Sequence, residues 1–385
     1  MPNQHDREFT PPATDLLISR RLFVSTSTAA LTALPLVAPH ASAEHNHMPK
    51  TPYDRDKCHR YRNAALRGLE FLVEQMAANG GYSTESDLAA YYKSLWLLHL
   101  AGRNDLAYRR LDHIKASFML PNGDFRTAPD LKSANGVLTQ YYPYMNGWLA
   151  MGSHRLGRFD LAQPAYRFLS RFSNAQDGGF FLQEPTTTPR AEQCDVFITS
   201  HLGLAALYAG DVGRASQAGQ YIQNHLQKQP DLESGLYLRT ESTGALVTEY
   251  PDEAAPLHFV SRTAPWQLYF FVGYPSAFMA KLYEATGDRV HLQTAQAYLT
   301  FAQSCDDSLY EFYFSHKVAW ASSIVARLTG DQSAFDTSTR IADYLLSIQD
   351  RTGGWLLDQP PIEHLDQSAE IAIWLLELSA ELDIA

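Results

Sequence analysis

The sequence predicts an all-α protein in which six helical hairpins close into an (α/α)6 toroid that carries a short β-hairpin or lid insertion. One observation is that a helix-like segment runs six times into a short Gly/Asp/Asn-rich loop ending in an aromatic residue, as in residues 79–82 (NGGY) and 349–355 (QDRTGGW). Another is that the next segment carries apolar residues with helical spacing and usually stops at a glycine. The loops are unevenly spaced, which favours a closed array with decorated loops over an open solenoid.

The glycine stops and the apolar spacing set the bounds of the helices. The predicted inner helices are 87–101, 141–156, 195–209, 266–286, 316–329 and 367–382. The predicted outer helices include 61–78, 164–174, 215–229, 290–304 and 335–349. Pairs of this kind close into a double ring, with inner helices around a central cavity and outer helices around them. An all-α bundle without a functional cavity is the alternative interpretation of the same pattern.

Residues 1–43 are predicted to be a twin-arginine signal peptide, and residues 44–385 a single toroid domain. Arg20 and Arg21 precede a weakly apolar stretch, and residues 41–43 (ASA) supply small side chains at a cleavage site. The apolar run is too short and too polar for a comfortable membrane span, although a permanent anchor is the alternative. We therefore expect recognition by the twin-arginine export machinery, a periplasmic or secreted protein, and no stable membrane span after removal of the signal.

Charge and cysteine content exclude several classes of partner. The formal net charge is −11, and no Lys/Arg run is present, so we expect no nucleic-acid partner. Cys58, Cys194 and Cys305 form an odd set that allows one bridge but implies no disulfide framework. The sequence has no phosphate loop, dinucleotide fingerprint or nucleophile elbow, so no cofactor is predicted.

One segment, residues 231–265, lacks the helical spacing of apolar residues that the rest of the predicted domain shows. Two short alternating runs in residues 235–250 flank the turn at residues 241–244 (ESTG), which is typical of a β-hairpin. A connection this long inside a toroid is more often functional than accidental. We interpret it as a lid over one mouth of the cavity, with His258, Asp252 and Arg262 facing inward. A solvated excursion is the alternative.

The inner helices all begin just after their loops, so their N-termini should meet at one end of the ring. Free backbone N–H groups and positive helix-dipole ends point there. His316 and Lys317 open an apolar helix at this end, and their lowered proton affinities would suit acid/base work near neutral pH. The alternative pairs Lys317 with Glu370 or Asp366, which project from one face of the last helix because they are four residues apart.

The same reasoning also places Lys93 and Gln367 at this end without a role, and it gives the following candidate residues. The predicted catalytic residues are His316, Lys317, Glu370, Asp195 and His258. The predicted substrate-binding residues are Tyr91, Tyr142, Tyr144, Asn146, His201, Tyr274, Trp320, Asp366 and Trp374.

Several of these residues also have structural interpretations. Asp87, Ser315 and Asp366 are well placed to cap helix N-termini, and the tyrosines could simply pack. No metal site is predicted, because Cys194 and His201 on one helix would stand about 10 Å apart along its axis, too far to share one ion.

The Gln-x-x-x-Gly-Gly-Trp loop at residues 349–355, and its shorter counterpart at residues 176–180 (QDGGF), resemble those of the terpenoid cyclase/protein prenyltransferase α/α-toroid superfamily. The resemblance covers nearly the whole predicted mature chain and implies a ring of alternating inner and outer helices. The acid motif Asp-x-Asp-Asp of squalene-type cyclases is absent, since residues 305–307 (CDD) lack its first Asp. The prenyltransferase zinc set is unmatched as well, so no catalytic residue carries over from either branch.

Three functional hypotheses follow. The first is an exported, metal-free enzyme that cyclises or isomerises a small, largely apolar metabolite by shape and acid/base catalysis. The second is a periplasmic lyase, epimerase or hydrolase acting on uronic-acid-containing glycans, with paired carboxylates across the cavity if it hydrolyses. The third is a non-catalytic module whose aromatic residues form a ligand platform. The substrate is accordingly a small molecule or a glycan.

Overall fold

The computed structural model describes residues 54–184 and 192–383. The predicted signal peptide, residues 1–43, lies outside the described residues. The helices are α1 (Arg55–Glu74), α2 (Ser94–Leu100), α3 (Asn104–Phe118), α4 (Gly136–Gln140), α5 (Tyr144–Arg155), α6 (Phe159–Leu169), α7 (Val196–Tyr208), α8 (Val212–Gln227), α9 (Phe270–Thr286), α10 (Arg289–Gln303), α11 (His316–Thr329), α12 (Gln332–Ser347) and α13 (Pro361–Asp383). The strands are β1 (Gln193–Asp195), β2 (Gly235–Tyr237), β3 (Arg239–Glu241) and β4 (Phe259–Ser261).

Six inner helices form a closed ring. In ring order, α2 packs against α5, α5 against α7, α7 against α9, α9 against α11, α11 against α13, and α13 returns to α2. Each inner helix is covered by the outer helix that follows it, and α13 is covered by α1 from the beginning of the described chain. The predicted all-α toroid is therefore confirmed, and the first and last helices close it.

Side-chain polarity explains which helices lie inside. In α7, every residue from Val196 to Ala206 is buried, and its sequence VFITSHLGLAALY is apolar on all sides. A helix of that composition is stable only when it is covered all round. The outer helix α12 instead alternates buried residues such as Phe335 and Ile341 with exposed polar ones.

The recurrent loops have a shared physical reason for their glycines. Gly80 has a φ of +89°, and a Cβ there would lie 2.4 Å from the Arg109 carbonyl oxygen of α3. Gly353 has a φ of +96°, and its Cβ would lie 2.4 Å from the Arg67 carbonyl oxygen of α1. Each loop thus sits directly on the backbone of a neighbouring outer helix, in a conformation that only glycine adopts easily.

The insertion differs from the predicted hairpin. The turn at residues 241–244 is present, with the Gly244 N–H donating to the Glu241 carbonyl. However, β3 pairs antiparallel with β1, and β2 pairs antiparallel with β4, so the strands on either side of Leu238 pair with separate partners. The predicted pairing is kept next to the turn, where Thr240 bridges Leu246, the Glu241 N–H donates to the Ala245 carbonyl at 2.8 Å and the Val247 N–H donates to the Arg239 carbonyl at 3.0 Å. Pairing with the distant strands β1 and β4 is favoured because it covers strand edges that a short hairpin would leave exposed.

Most predicted helix starts move by a few residues, and two of these shifts affect candidate residues. The segment 87–101 begins as a 3-10 turn, Leu88–Ala90, before α2 starts at Ser94. The last helix starts at Pro361 rather than Gln367, because proline fits the first turn of a helix. Asp366 therefore lies inside α13, and its predicted capping role is wrong, whereas Asp87 does cap, accepting from the Ala89 N–H at 2.8 Å.

The three cysteines lie in the interior of the described part of the chain. Cys58, Cys194 and Cys305 are all buried and unpaired. Within residues 54–184 and 192–383, no helix combines the length and the apolar character needed to cross a bilayer.

Candidate functional site

Two cavities open at opposite ends of the inner ring. The helix-start cavity, about 260 Å³, lies where the inner helices begin. Its lining is Tyr92, Lys93, Asn135, Val137, Leu138, Tyr141, Tyr144, Phe197, Leu268, Phe270, Phe314, Lys317, Glu363, Asp366, Gln367 and Glu370. The helix-end cavity, about 440 Å³, lies at the other end. Rim residues of the helix-start cavity such as Val137 and Glu363 are exposed or half-buried, so the cavity leads from solvent to a buried floor.

The floor of the helix-start cavity is a buried ionic cluster. Glu370 Oε2 accepts a hydrogen bond from the Lys93 ammonium at 2.5 Å, and Glu370 Oε1 accepts one from the Lys317 ammonium. Asp366 Oδ2 accepts from Lys93 at 2.7 Å. The four residues are at most 7% exposed, and they come from the start of α2, the start of α11 and one face of α13. Two lysines and two carboxylates thus compensate one another in a low-dielectric site, as buried charges must.

His316 lies behind this cluster. Its Nδ1 donates to the Tyr313 carbonyl at 2.5 Å, which leaves the Nε2 lone pair facing the Lys317 ammonium at 3.1 Å. Burial, followed by the nearby Lys317 charge, lowers its pKa, so the imidazole is neutral at pH 7. His316 is fully buried and is absent from the cavity lining, so it positions Lys317 rather than touching a ligand.

Burial and pairing push the pKa values of the cluster in different directions. Desolvation raises the pKa of Asp366 to about 6, although Lys93 opposes the shift. Desolvation lowers the pKa of Lys317 to about 8, although Glu370 opposes it. Glu370 is also desolvated, but two ammonium groups hold its pKa well below the usual range. The ionised form of Asp366 is stabilised less than that of Glu370, because Asp366 pairs with one lysine, which it shares, and Glu370 pairs with two.

Three polar atoms in the wall of this cavity make no hydrogen bond within the described residues. They are Asp366 Oδ1, Gln367 Oε1 and the Tyr92 hydroxyl. The Gln367 amide is oriented by its Nε2, which donates to Asp366 Oδ2 at 3.0 Å, so its oxygen is left as an acceptor. Leaving a buried polar atom unpaired costs about 1–3 kcal/mol. Such atoms in one wall therefore mark a place where a ligand with hydrogen-bond donors is favoured.

An aromatic layer crosses the ring between the two cavities. Trp374 stacks on Trp320 with ring centroids 4.3 Å apart, and both contact Tyr274 edge-on. His201 accepts from the Tyr274 hydroxyl at Nδ1 (2.7 Å) and donates from Nε2 to the Tyr144 carbonyl (2.8 Å). The predicted substrate-binding residues His201, Tyr274, Trp320 and Trp374 are thus brought together, but in this layer.

Two aromatic residues, Tyr144 and Trp374, also contact the ionic floor. The Tyr144 hydroxyl lies 3.4 Å from Glu370 Oε1, and Trp374 Nε1 donates to the same oxygen at 3.3 Å. His201 is fully buried, and desolvation lowers its pKa to about 3, so it is neutral and serves as a hydrogen-bond relay. Of the predicted substrate-binding residues, Tyr144 and Asp366 line the helix-start cavity.

Tyr142 and Asn146 belong to a separate buried network instead. Asp124 accepts from the Tyr142 hydroxyl at 2.5 Å, from Asn146 Nδ2 at 3.0 Å and from Lys132 Nζ at 2.9 Å. None of these residues lines either large cavity. The network fastens the loop that contains Lys132 to the start of α5, which is a structural role.

The remaining predicted residues lie away from the cavity lining. Tyr91 donates to the Glu85 carbonyl and accepts from the Tyr82 N–H at 3.0 Å, which braces the first loop. Asp195 caps α7, accepting from the Ile198 N–H at 2.7 Å, and burial raises its pKa to about 6. Its place beside Tyr141, which does line the helix-start cavity, makes it a support for that wall.

The insertion supports the cavity without covering it. His258 donates from Nδ1 to the Ala254 carbonyl at 2.8 Å and stacks on Tyr250. Arg262 pairs with Glu233, and Asp252 is exposed, so none of the three predicted inward-facing residues lines the cavity. The physical reason is the strand pairing, which folds the segment onto itself and onto β1.

Arg239 connects the insertion to the wall of the helix-start cavity. Its Nη2 donates to the Tyr141 hydroxyl at 3.2 Å, and its Nε donates to the Leu257 carbonyl at 3.0 Å.

Sequence reasoning left several residues of the site without a role. Lys93 and Gln367 were placed at this end of the ring but were not assigned to catalysis or binding, although Lys93 bridges both carboxylates. Tyr92 was missed altogether. A signal for the role of Lys93 was available: a lysine two residues before the apolar run of residues 95–98 (LWLL) is expected to be buried, and a buried lysine needs a carboxylate. The pairing of Lys317 with Glu370, one of the alternatives at the sequence level, is present.

Metal ligation finds no support in the described ranges. No group of three or more His, Cys, Asp or Glu side chains in residues 54–184 and 192–383 is arranged to hold an ion. Cys194 lies in β1, and desolvation raises the pKa of its thiol.

Comparison with known proteins adds the fold class. No family model matches this chain, and no curated protein matches it. Among solved structures, it is similar to a D-mannose isomerase (TM-score 0.62, 11% identity, covering 84% of this chain and 97% of that one). It is also similar to a GH76 α-mannanase of Bacteroides thetaiotaomicron (TM-score 0.57, 16% identity, 84% and 96% covered). A third is a type II terpene cyclase from Scytonema (TM-score 0.52, 11% identity, 85% and 99% covered).

All three neighbours are enzymes by their names, which agrees with the expectation of an enzyme. At these identities, the similarity shows the fold alone. Together with the closed ring of inner helices, it shows that residues 54–184 and 192–383 have the α/α-toroid fold.

Proposed function

We propose that this protein is an enzyme that isomerises or epimerises a small hydroxylated carbonyl compound, such as a sugar, by moving a proton in the helix-start cavity. The observation that carries the proposal is that Asp366, paired with Lys93, and Lys317, paired with Glu370, belong to one buried cluster that lines this cavity. Their pKa values, about 6 and about 8, lie on either side of neutrality. An acid and a base whose pKa values have both been moved towards neutrality are suited to proton transfer near pH 7.

Each group has a defined task in such a reaction. Asp366 Oδ1, which has no hydrogen-bond partner among the described residues, accepts the proton as the C–H bond beside the carbonyl breaks. The electron pair moves onto the carbonyl oxygen, which takes a proton from the Lys317 ammonium and gives an enediol. Asp366 then gives its proton to the former carbonyl carbon while the hydroxyl on the first carbon, which lost the hydrogen, returns a proton to the Lys317 amine, which yields the isomer. The epimer forms instead when water protonates the opposite face of the first carbon, the former carbonyl oxygen returns its proton to Lys317, and Asp366 loses its proton to water. Glu370 stays ionised and holds both lysines in place.

The wall of the cavity favours a hydroxylated substrate over the largely apolar metabolite of the first hypothesis. Asp366 Oδ1, Gln367 Oε1 and the Tyr92 hydroxyl are unpaired. A ligand bearing hydroxyl groups can satisfy them, whereas an isoprenoid would leave about 1–3 kcal/mol per atom uncompensated. A volume of about 260 Å³ also suits a small molecule rather than a long chain. The D-mannose isomerase among the fold neighbours carries out a reaction of the proposed class, by its name.

Hydrolysis of a glycan is less well supported. It needs two carboxyl groups with the scissile bond between them. Asp366 and Glu370 both bind the Lys93 ammonium, at 2.7 and 2.5 Å, so a lysine occupies the space where that bond would lie. A purely binding module is also disfavoured, because burying four charges costs several kcal/mol per ion that an aromatic platform would not need.

The test compares two carboxylate-to-amide changes on α13. With a panel of aldoses, ketoses and uronic acids as substrates, Asp366→Asn should lower kcat by about 10²–10⁴-fold, the usual contribution of a general base. Glu363→Gln, at the rim of the same cavity, should stay within about threefold of the wild type because its one hydrogen bond to Asn135 Nδ2 survives the change with an amide oxygen.

Binding of a non-reactive hexitol, measured by calorimetry, should persist in Asp366→Asn. Full turnover by that variant, or no conversion of any compound in the panel by the wild type, would overturn the proposal.

We also propose that the protein is exported through the twin-arginine route. The support is the sequence at residues 20–21 and 41–43 alone. A doubly substituted Arg20→Lys, Arg21→Lys chain should stay in the cytoplasm in a cell-fractionation assay, whereas the unaltered chain should be recovered outside it with a new N-terminus. Equal distribution of the two chains would contradict this proposal.

A further inference from the structure

The helix-end cavity is larger than the helix-start cavity and differs from it in chemistry. Its volume is about 440 Å³, and its deep wall is made of Trp148, Tyr274, Trp320 and Trp374, each at most 5% exposed. Leu204 and Leu207 of α7 complete that wall. Protein interiors rarely keep voids much larger than a water molecule, and an apolar cavity of about 150 Å³ is already enough to bind a benzene ring. A cavity of this size and composition is therefore built for an occupant.

The charged groups at its mouth are already paired. Lys281 Nζ lies 2.9 Å from Glu284 and 2.6 Å from Glu381. Arg155 lies 3.5 Å from Glu377, and its guanidinium covers the Trp96 ring at 3.9 Å. A charged ligand would have to break one of these pairs to gain a partner. An uncharged ligand can bind without breaking any of these ion pairs, and its rings can pack against the indole faces and edges.

The cavity also touches the proposed reaction site through shared side chains. The Trp374 ring lines the helix-end cavity, while its Nε1 donates to Glu370 Oε1 at 3.3 Å. Trp320 stacks on Trp374 and lies one turn after Lys317 on α11. An occupant that shifts this stacked pair must change the hydrogen bond to Glu370, because both ends belong to the same indole.

We propose that the helix-end cavity is a second ligand site, which takes an uncharged molecule carrying at least one planar ring, and that its occupancy is transmitted to the reaction site through Trp374. The site is distinct from the helix-start cavity, since the aromatic layer separates the two. Binding of the ring compound does not depend on the proposed function. The transmission step does rest on it, because its readout is binding of a hydroxylated ligand.

The first experiment is a calorimetric titration of the full chain with 2-naphthol, with 1-octanol as an uncharged compound without rings. We expect 2-naphthol to bind with a negative heat-capacity change, because apolar surface is buried, and 1-octanol to bind at least about tenfold more weakly. Ala285→Trp, at the exposed mouth, should weaken 2-naphthol binding at least about tenfold by filling the entrance.

The matched control is Val137→Trp, which places the same side chain at the exposed rim of the other cavity. It should leave 2-naphthol binding unchanged and weaken binding of D-mannitol. The site is refuted if 2-naphthol does not bind, if Ala285→Trp has no effect, or if Val137→Trp abolishes 2-naphthol binding instead. Tighter binding of 1-octanol than of 2-naphthol would overturn the ring-compound class.

The second experiment measures transmission. Saturation with 2-naphthol should change the Kd of D-mannitol by about fivefold or more, and D-mannitol should change the Kd of 2-naphthol by the same factor. Trp374→Phe keeps a ring but removes the N–H, so 2-naphthol should still bind while the coupling factor approaches one. A coupling factor of one in the wild-type chain overturns transmission. If D-mannitol does not bind at all, the proposed function and the transmission that rests on it are both contradicted. The ring-compound site is tested independently by the 2-naphthol titration.

Discussion

The helix-start cavity and the helix-end cavity lie at opposite ends of the same inner helices, but their charged side chains differ in burial and in the number of ion-pair partners. Glu370 and Glu377 are seven residues apart on α13, so they share a face of that helix. The Glu370 side chain is 3% exposed and forms ion pairs with two lysines. The Glu377 side chain is 16% exposed and forms an ion pair with one arginine at 3.5 Å. The depth of a carboxylate therefore decides how strongly the neighbouring cations depend on it.

The largest effect should come from removing the charge that holds the deep cluster together. Glu370→Gln leaves Lys93 and Lys317 buried without their shared counter-ion. Breaking a buried ion pair in this way costs about 3–5 kcal/mol, because the remaining charge is uncompensated. Urea unfolding should therefore give a free energy of unfolding lower by that amount. A loss below about 1 kcal/mol would mean that the cluster is open to water.

A somewhat smaller effect is expected in the aromatic layer between the two cavities. Gly147→Ala would place a Cβ 2.2 Å from His201 Nε2, so the imidazole must move and its bond to Tyr144 must weaken. Overpacking of this kind costs about 1–3 kcal/mol. Gly136→Ala is the control, since its Cβ meets nothing within 4 Å. Equal melting temperatures for the two variants would show that the layer is not tightly packed.

The pH dependence of turnover should distinguish the two ends as well. Burial raises the pKa of Asp366 to about 6, so the carboxylate needed as base is lost as the pH falls below that value. Burial lowers the pKa of Lys317 to about 8, so the ammonium needed as acid is lost as the pH rises above it. The kcat/KM profile should therefore be bell-shaped, falling about tenfold per pH unit on each side.

Two lysine-to-arginine changes sharpen this prediction. Lys317→Arg should move the alkaline limb to higher pH, because a guanidinium stays protonated. Lys281→Arg, at the helix-end cavity, should leave the profile unchanged, since Lys281 is paired with Glu284 and Glu381 far from the proposed reaction. A profile that responds to Lys281→Arg but not to Lys317→Arg would place the chemistry at the wrong end of the ring.

The smallest effect is expected from Glu377→Gln. Its partner Arg155 is 20% exposed and is also held over Trp96, so the guanidinium keeps water and a ring face when the carboxylate is removed. Partly exposed ion pairs of this geometry contribute about 0–1 kcal/mol. Thermal unfolding should detect little change. A loss as large as that in Glu370→Gln would remove the contrast between the two cavities.

The fold could be predicted from the sequence because its signals are local. The glycines at residues 80 and 353 must lie on a neighbouring backbone, and the apolar run in α7 must be covered all round. The start of α13 was misplaced because Asp366 looks like a cap, while the proline at residue 361 was the better signal. The strand partners β1 and β4 were missed because long-range pairing leaves no local mark.

The site was only partly predictable, for a different reason. Lys317, Glu370 and Asp366 could be identified because they sit in apolar helices at the same end of the ring. That Lys93 bridges the two carboxylates, and that His316 lies behind Lys317, depends on side-chain directions within a few ångströms. Helical spacing does not carry that information. His258 illustrates the opposite error, because a reactive residue type in a long insertion was assigned to the cavity although it stacks on Tyr250 instead.

The most direct test of the account is proton exchange at carbon. Aldoses and ketoses are incubated with the protein in D₂O, and deuterium at the carbon beside the carbonyl is followed by NMR. The account predicts incorporation that depends on the protein, falls by about 10²–10⁴-fold in Asp366→Asn and stays near the wild-type rate in Glu363→Gln. Conversion without deuterium uptake, or equal uptake in wild type and Asp366→Asn, would contradict the assignment of proton transfer to the helix-start cavity.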